Sequence, residues 1–162
     1  MKRIVIINYG SGNLKSVYNA LKNVSIKNEA VIVSSAPSDI KKATHLILPG
    51  VGSFKSCLDG LKRTNLIKTL EEMVIEKKKP FLGICVGMQM LATKGYENGE
   101  FSGLNWIHGE VRKIKVQHRD LKIPHMGWNE LTFKKKNEFI NTLLKKMNTT
   151  TNQKISAYFV HS

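Results

Sequence analysis

The segment 79–91 limits the fold of this chain more than any other part of the sequence. Its apolar run predicts a fully buried strand of a parallel sheet. The apolar residues are Phe81, Leu82 and Ile84. Pro80 permits a strand to begin and prevents a helix at that point. Gly83 and Gly87 lie two residues before and after Cys85, where they remove Cβ atoms that would clash on a sharp turn. The pattern predicts a nucleophile elbow that carries sulfur, at a helix N-terminus that favours a thiolate.

The spacing alone leaves two interpretations of Cys85 open. It is either a reactive thiol on an elbow or a buried structural cysteine, since free cysteine is among the most buried residue types. Cys57 is the other cysteine of the chain, and two cysteines form neither a disulfide framework nor a metal site. We therefore interpret Cys57 as a small apolar helix residue and expect no metal or cofactor.

Length and composition indicate a single globular domain, because the chain has 162 residues of which 41% are hydrophobic. No apolar run reaches the roughly 18 residues of a membrane span, and the N-terminal run is too short for a signal peptide. We therefore expect a cytoplasmic protein. The net charge of +14 comes from scattered lysines without a nucleic-acid motif, which indicates a solvated surface rather than a nucleic-acid or membrane partner.

Strands and helices alternate over the first 93 residues. The predicted strands are 3–7, 30–33, 45–48 and 81–84, and Cys85 is predicted on the turn that follows. The predicted helices are 14–24, a short helix opened by the turn 35–39, 53–61, 65–77 and one that runs from the turn at Cys85 to about 93. This order is typical of βαβ units that form a parallel sheet with helices on both faces. After Gly95 we expect a strand over 109–116, a compact loop over 123–129 and a strand over 130–133. A helix over 137–147, a polar loop over 148–153 and a strand over 155–160 follow, with no internal domain boundary.

Two glycine-rich loops follow the first and third predicted strands. The loop 8–13 reads N-Y-G-S-G-N and lacks the third glycine of a dinucleotide-binding fingerprint. It is better explained as a tight turn in which Ser11 or Asn13 caps the next helix. The loop 49–52 reads P-G-V-G, and its backbone N–H groups could form an oxyanion hole. An ordinary strand-to-helix loop is the alternative.

The string G-I-C-V-G-M-Q at 83–89 resembles the G-x-C-x-G-x-Q signature of class I glutamine amidotransferases. Four further stretches are similar to one branch of that family, the glutaminase subunits of imidazole glycerol phosphate synthase. They are N-Y-G-S-G-N at 8–13, L-P-G-V-G-S-F at 48–54, P-H-M-G-W-N at 124–129 and Y-F-V-H-S at 158–162. The resemblance implies a flavodoxin-like α/β domain with a mostly parallel sheet over residues 1–162. It also implies hydrolysis of glutamine to glutamate and supply of ammonia to a HisF-type cyclase partner in histidine biosynthesis.

The resemblance assigns roles to individual residues. It makes Cys85 the nucleophile, and it places Gln89 against bound glutamine. The oxyanion and glutamine-contact strand consists of Gly50, Val51 and Gly52. His161 and Ser162 line the pocket for the glutamine backbone. The residues that face the cyclase are Tyr9, Gly10, Asn13, Leu14, Pro124, His125, Met126, Gly127, Trp128 and Asn129.

One part of the family pattern is missing from these 162 residues. The family completes a Cys-His-Glu triad with a His-x-Glu near its C-terminus, usually within F-H-P-E. The only His-x-Glu here is His108-Gly109-Glu110, which lacks that context, so we do not expect it to be the catalytic pair. We therefore expect a domain that is incomplete at its C-terminus, and a polypeptide of these residues that is inactive because its thiol lacks a base.

Three alternatives remain open at this point. The first is an amidotransferase subunit of a related sugar-modifying pathway. The second is a non-catalytic remnant that binds a cyclase without making ammonia. The third is a different cysteine-elbow enzyme on a flavodoxin-like fold, against which Gln89 and the P-G-V-G stretch argue.

Overall fold

The computed structural model describes residues 1–25, 29–116, 122–134, 137–147 and 155–162. The predicted polar loop 148–153 and His118 lie outside these residues. The described residues form two compact units, which comprise Met1–Arg112 and Lys113–Ser162. None of the described helices is long and apolar enough to cross a membrane.

A sheet of four parallel strands forms the centre of the first unit. The strands are β1 (Lys2–Ile7), β2 (Glu29–Ser34), β3 (His45–Gly50) and β4 (Phe81–Cys85). Their order across the sheet is β2-β1-β3-β4, and every neighbouring pair is parallel. This order confirms the predicted α/β fold, since parallel neighbours require helical crossovers. β3 continues two residues beyond its predicted end, through Pro49 and Gly50.

Helices follow the strands as the alternation predicts. They are α1 (Leu14–Val24), α2 (Pro37–Lys42), α3 (Phe54–Arg63) and α4 (Ile67–Glu71), which continues as a π-helical turn over Glu72–Glu76. The stripe that packs α4 and this turn onto the core is fully buried and consists of Leu66, Leu70 and Met73. The helix predicted over 65–77 is therefore present, with a π-helical second half.

The core lies against both faces of the four-stranded sheet. Val5 and Leu46 are paired in register and belong to one buried cluster together with residues of α2, α3 and α4. Ile6 and Ile47 are also paired, point to the opposite face because strand side chains alternate, and are buried as well. Burial on both faces explains why these strands read as continuous apolar runs.

The prediction of a fully buried elbow strand is wrong. Within the described residues β4 pairs only with β3, and the side chain of Leu82 is 54% exposed. An edge position leaves one side of a strand without a neighbour, so an apolar sequence does not by itself secure burial.

The prediction that the helix after Cys85 runs to Thr93 is also wrong. α5 comprises only Val86–Gln89, and β5 begins at Ala92. The carbonyls of Ala92 and Thr93 accept hydrogen bonds from the N–H groups of Asn105 and Gly103, at 3.1 and 2.9 Å. These distant donors satisfy backbone groups that a longer helix would have had to satisfy itself.

β5 belongs to a second, smaller sheet of the first unit. This sheet contains β5 (Ala92–Gly95), β6 (Phe101–Ser102) and β7 (Ile107–Val111). β5 pairs with β6 in the antiparallel sense and with β7 in the parallel sense. The strand predicted over 109–116 is therefore present only in part, and it begins and ends earlier than predicted.

The second unit is described by a strand pair and one helix. Strand β8 (His125–Glu130) pairs antiparallel with β9 (Ser156–His161), and α6 (Glu138–Lys146) is capped by Asn137, whose side chain accepts from the N–H of Ile140 at 2.9 Å. The predicted helix and last strand are thus present. The prediction of a loop over 123–129 before a strand over 130–133 is wrong. The strand is β8, and its six residues, 125–130, pair with β9.

Candidate functional site

Cys85 lies at the end of β4, immediately before α5. Its backbone has φ 55° and ψ −120°, a positive φ that residues other than glycine rarely adopt. Its side chain is exposed. A strained residue between a strand and a helix, with an exposed side chain, is the geometry of a nucleophile elbow. Exposure and strain together favour the reactive interpretation of Cys85 over a buried structural one.

The glycines on either side of Cys85 are required by close backbone approach. A Cβ atom on Gly83 would lie 2.7 Å from the Cα atom of Met88. A Cβ atom on Gly87 would overlap the carbonyl oxygen of Leu48. Both obstacles are backbone atoms, which cannot move aside as a flexible side chain can. The two glycines therefore serve the role predicted for them from the sequence.

The predicted oxyanion strand begins beside Cys85. Gly50, the last residue of β3, is the register partner of Cys85 in the parallel pairing of β3 with β4. Val51 and Gly52 follow directly and are exposed, and Gly52 has φ +107°. The structure therefore brings Cys85 and Gly50, the first residue of the predicted oxyanion strand, together at the carboxyl edge of the sheet, where open α/β sheets bind ligands.

Three side chains from other elements hold the carbonyl groups of this stretch. The phenol of Tyr9 donates a buried hydrogen bond to the carbonyl oxygen of Pro49 at 2.7 Å. The hydroxyl of Ser11 donates to the carbonyl oxygen of Val51 at 2.8 Å, and the thiol of Cys57 donates to the same oxygen at 3.3 Å. Burial, with a smaller contribution from Cys57, raises the pKa of Tyr9, so the phenol keeps the proton that it donates.

No pattern in the sequence indicates these supporting contacts. Ser11 was one of two candidates for capping α1, but the cap is Asn13, whose side chain accepts from the N–H of Ser16 at 3.2 Å. Cys57 lies on α3, as predicted. It is fully buried, and its thiol is in addition a hydrogen-bond donor. Tyr9 differs from the other residues of the predicted cyclase-facing set, because its side chain is buried in the core.

Gln89 lies four residues after Cys85, at the end of α5, and is partly buried.

The tripeptide His108-Gly109-Glu110, which has the His-x-Glu spacing, lies on β7 in the first unit. There the carboxylate of Glu110 accepts from Arg112 at 2.7 Å and from the Tyr96 hydroxyl at 3.3 Å. The Arg112 hydrogen bond is the main cause that holds the pKa of Glu110 below its usual range. Glu110 is thus already engaged by neighbours other than His108, which agrees with the expectation that this pair is not catalytic.

The second unit contains the remaining predicted site residues. His161 and His125 are register partners of β9 and β8, and the Nδ1 atom of His125 lies 2.8 Å from the Nε2 atom of His161. Ser162 follows and is exposed. The structure therefore joins one residue predicted for the glutamine pocket to one predicted for the partner interface. Asn129 Nδ2 lies 3.4 Å from the other ring nitrogen of His125.

The predicted interface segment of the second unit presents a large aromatic side chain. Trp128 is 72% exposed and contacts Tyr158 of β9 edge to face, with ring centroids 5.7 Å apart. Met126 lies two residues earlier on the same face of β8 and is exposed too. In the first unit, Gly10 and Asn13 are exposed and Leu14 is partly buried. Trp128 is thus a surface residue and not a core residue.

Together these features define an α/β protein with an exposed cysteine on a strained strand-to-helix elbow, the position of a nucleophile. Residues 5–162 match the family model of the class-I glutamine amidotransferases. The chain is 42% identical over 160 residues to the imidazole glycerol phosphate synthase subunit HisH of Pelagibacter ubique. It is 43% identical over 159 residues to subunit HisH 1 of Campylobacter jejuni. The chain belongs to the class-I glutamine amidotransferase family, among the HisH subunits of imidazole glycerol phosphate synthase.

These alignments cover nearly all of the chain but not all of the relatives. Each of the two covers 98% of this chain and 73% of the relative. The HisH subunit of Zymomonas mobilis is 45% identical over 129 residues, which are 79% of this chain and 61% of that protein. A solved structure of a Listeria monocytogenes protein described as a peptidase E has a TM-score of 0.53 and 17% identity, and covers 65% of this chain and 63% of that one. That likeness supports the fold alone.

Proposed function

We propose that this chain is the glutaminase subunit that hydrolyses glutamine to glutamate and supplies ammonia to a HisF-type cyclase partner. The pair makes imidazole glycerol phosphate in histidine biosynthesis. The names of the relatives support this pathway over a sugar-modifying one. The observation that carries the proposal is the strained, exposed Cys85, which is paired in register with Gly50. We also propose a cytoplasmic location, where glutamine and biosynthetic partners are available.

The proposed chemistry begins at the thiol of Cys85. Its sulfur attacks the side-chain amide carbon of glutamine, and the amide oxygen becomes an oxyanion. Backbone N–H groups of Gly50, Val51 and Gly52 stabilise this charge, since preorganised donors in such positions contribute about 10²–10³ in rate each. The C–N bond then breaks, ammonia leaves with an added proton, and water hydrolyses the resulting thioester to glutamate and free thiol.

Proton transfer in this scheme requires a base that is also an acid. A thiol nucleophile is activated by an adjacent base, which a third group orients. The family resemblance assigns these roles to a His-x-Glu in an F-H-P-E setting, which none of the five histidines of these 162 residues matches. A polypeptide of these residues alone is therefore proposed to bind its partner without rapid turnover of glutamine.

Different residues of the chain are proposed to contact the substrate and the partner. Gln89, His161 and Ser162 are proposed to contact glutamine. The exposed residues of the loop after β1 and the segment 124–129 are proposed to contact the cyclase, with Trp128 as the largest exposed side chain among them. Tryptophan is a frequent anchor of protein interfaces.

A glutamate-release assay with the cyclase present tests the proposal. It compares the polypeptide 1–162 with a version extended by a family-type segment that contains His-Pro-Glu. We expect turnover only in the extended version, abolished by Cys85→Ala and kept by Cys57→Ser, which preserves a donor at the buried position. Strong activity of the polypeptide 1–162 that also requires His108 would contradict the proposal that the base belongs to a His-x-Glu in an F-H-P-E setting. Activity of the Cys85→Ala variant would contradict the assignment of the nucleophile.

A further inference from the structure

The carbonyl oxygen of Val51 receives hydrogen bonds from two side chains, one in the loop after β1 and one on α3. Ser11 is 40 residues before Val51 and donates from the loop after β1, at 2.8 Å. Cys57 donates from the first half of α3, at 3.3 Å. The two donor atoms also contact each other, with 3.4 Å between Oγ and Sγ. The exposed Val51 is therefore fixed at its carbonyl group even though its side chain faces solvent.

The loop that carries Ser11 is packed tightly against the same stretch. Gly12 has φ +98°, and a Cβ atom there would lie 3.0 Å from the Cβ atom of Pro49. Tyr9, at the start of the loop, donates to the Pro49 carbonyl oxygen at 2.7 Å. The carbonyl groups of Pro49 and Val51 thus both accept hydrogen bonds from side chains of this loop, and Val51 accepts a further one from α3. The peptide units that they belong to flank the Gly50–Val51 peptide unit.

Holding a carbonyl also orients the N–H of the next residue. In a planar trans peptide the C=O and N–H bonds point in opposite directions. A hydrogen-bonded Val51 carbonyl therefore turns the N–H of Gly52 away from Ser11 and Cys57. Gly52 adopts φ +107°, and because glycine has no Cβ atom, sterics restrain this peptide unit only weakly and hydrogen bonds have to hold it in place.

We propose that Ser11 and Cys57 are positioning residues that fix the Val51–Gly52 peptide unit so that the backbone N–H groups of the oxyanion strand are preorganised. Neither residue touches the substrate, and both act through Val51. This inference rests on the proposed function of residues 50–52 in stabilising the oxyanion. It extends that function to two side chains outside the family motif of Cys85.

The main experiment compares two reactions of Cys85 in the complex with the cyclase, in whichever form of the chain turns over glutamine. Glutamine hydrolysis passes through an oxyanion, whereas alkylation by iodoacetamide displaces iodide and forms none. Ser11→Ala is expected to lower kcat for glutamine about tenfold with KM little changed, because small misplacement of catalytic groups has effects of this order or larger. Alkylation of Cys85 is expected to stay within about twofold of the parent rate.

Conservative variants separate positioning from folding. Ser11→Thr and Cys57→Ser keep a donor and are expected to keep kcat near the parent value. Cys57→Ala removes the second donor and is expected to lower kcat as Ser11→Ala does. Ser56→Ala, an exposed serine on α3, serves as the matched control and is expected to change neither reaction. An unchanged kcat in Ser11→Ala, or an equal loss in Ser11→Thr, would overturn the proposal.

A second measurement does not depend on turnover. In ¹H–¹⁵N spectra of the chain, Ser11→Ala is expected to shift or broaden the Gly52 amide signal, whereas Ser56→Ala leaves it unchanged. If no form of the chain hydrolyses glutamine, the proposed function fails, and this spectrum still decides whether Ser11 holds the peptide unit. A Gly52 signal identical in Ser11→Ala and the parent would overturn the positioning role by itself.

Discussion

Gly50 and Gly87 face each other where the end of β3 meets the first turn of α5. A Cβ atom on Gly50 would overlap the backbone nitrogen of Gly87, and one on Gly87 would overlap the carbonyl oxygen of Leu48. Two backbones therefore approach at a distance that only glycine permits at either position. Gly50 is also the register partner of Cys85. The close contact between Gly50 and Gly87 therefore helps to determine where Cys85 lies relative to the P-G-V-G stretch.

The first prediction concerns the stability effect of filling this contact. Gly87→Ala is expected to lower the free energy of unfolding by about 3 kcal/mol, the upper end of the usual cost of overpacking, because the obstacle is backbone. Gly10→Ala is the matched control, since Gly10 has φ +86° but open space around its Cβ position, and backbone strain there costs about 1–2 kcal/mol. Urea denaturation of both variants measures the difference. A Gly87→Ala variant no less stable than Gly10→Ala would contradict the close approach.

The second prediction concerns the two thiols. Cys85 is exposed and Cys57 is fully buried, so iodoacetamide should modify Cys85 at least about tenfold faster in the folded chain, because a buried thiol reacts only after local opening. Peptide mapping by mass spectrometry gives both rates in one experiment. In urea the two rates should converge, which controls for differences between the peptides. Equal labelling in the folded state would contradict the elbow geometry of Cys85.

The sequence predicted the features that depend on residues close to one another along the chain. Strand, glycine, cysteine, glycine and helix follow one another within seven residues of Cys85, so their geometry was accessible from spacing. The bonds from Tyr9 to Pro49 and from Ser11 to Val51 each join residues 40 positions apart, and no local pattern encodes them. The same limit explains the errors at Thr93 and at 123–129, where partners distant in sequence decided between helix, loop and strand.

The third prediction concerns the acid stability of the first unit. Asp39 of α2 accepts from the Ser34 hydroxyl and from Arg3 of β1, each at 2.6 Å. The Ser34 hydrogen bond is the main cause that lowers the pKa of Asp39, and Arg3 adds to it. A lowered folded-state pKa stabilises the fold above the unfolded pKa of about 4, and this stabilisation is lost as pH falls through the folded-state value.

Asp39→Asn should therefore lower Tm at pH 7, and the difference from the parent should shrink steadily below about pH 4. Asp59→Asn is the control, because Asp59 pairs with Lys55 within a single helix, whereas Asp39 connects three elements. We expect a smaller loss for Asp59→Asn at pH 7. Thermal unfolding followed by circular dichroism at several pH values provides the test. A difference for Asp39→Asn that stays constant down to pH 2 would contradict the assigned ionic role.

The fourth prediction concerns the partner interface. Trp128 is 72% exposed, and among the described residues its ring packs against one other aromatic ring, that of Tyr158, so its removal should leave the fold intact. Trp128→Ala is expected to weaken binding of the cyclase by about 2 kcal/mol or more, the usual effect of losing an anchor residue. Phe139→Ala is a close control, because Phe139 is also 72% exposed but lies on α6, outside the predicted interface. Titration calorimetry measures both affinities, and unchanged far-ultraviolet circular dichroism establishes that each variant is folded. If Phe139→Ala weakened binding as much as Trp128→Ala, the interface would not be centred on the segment 124–129.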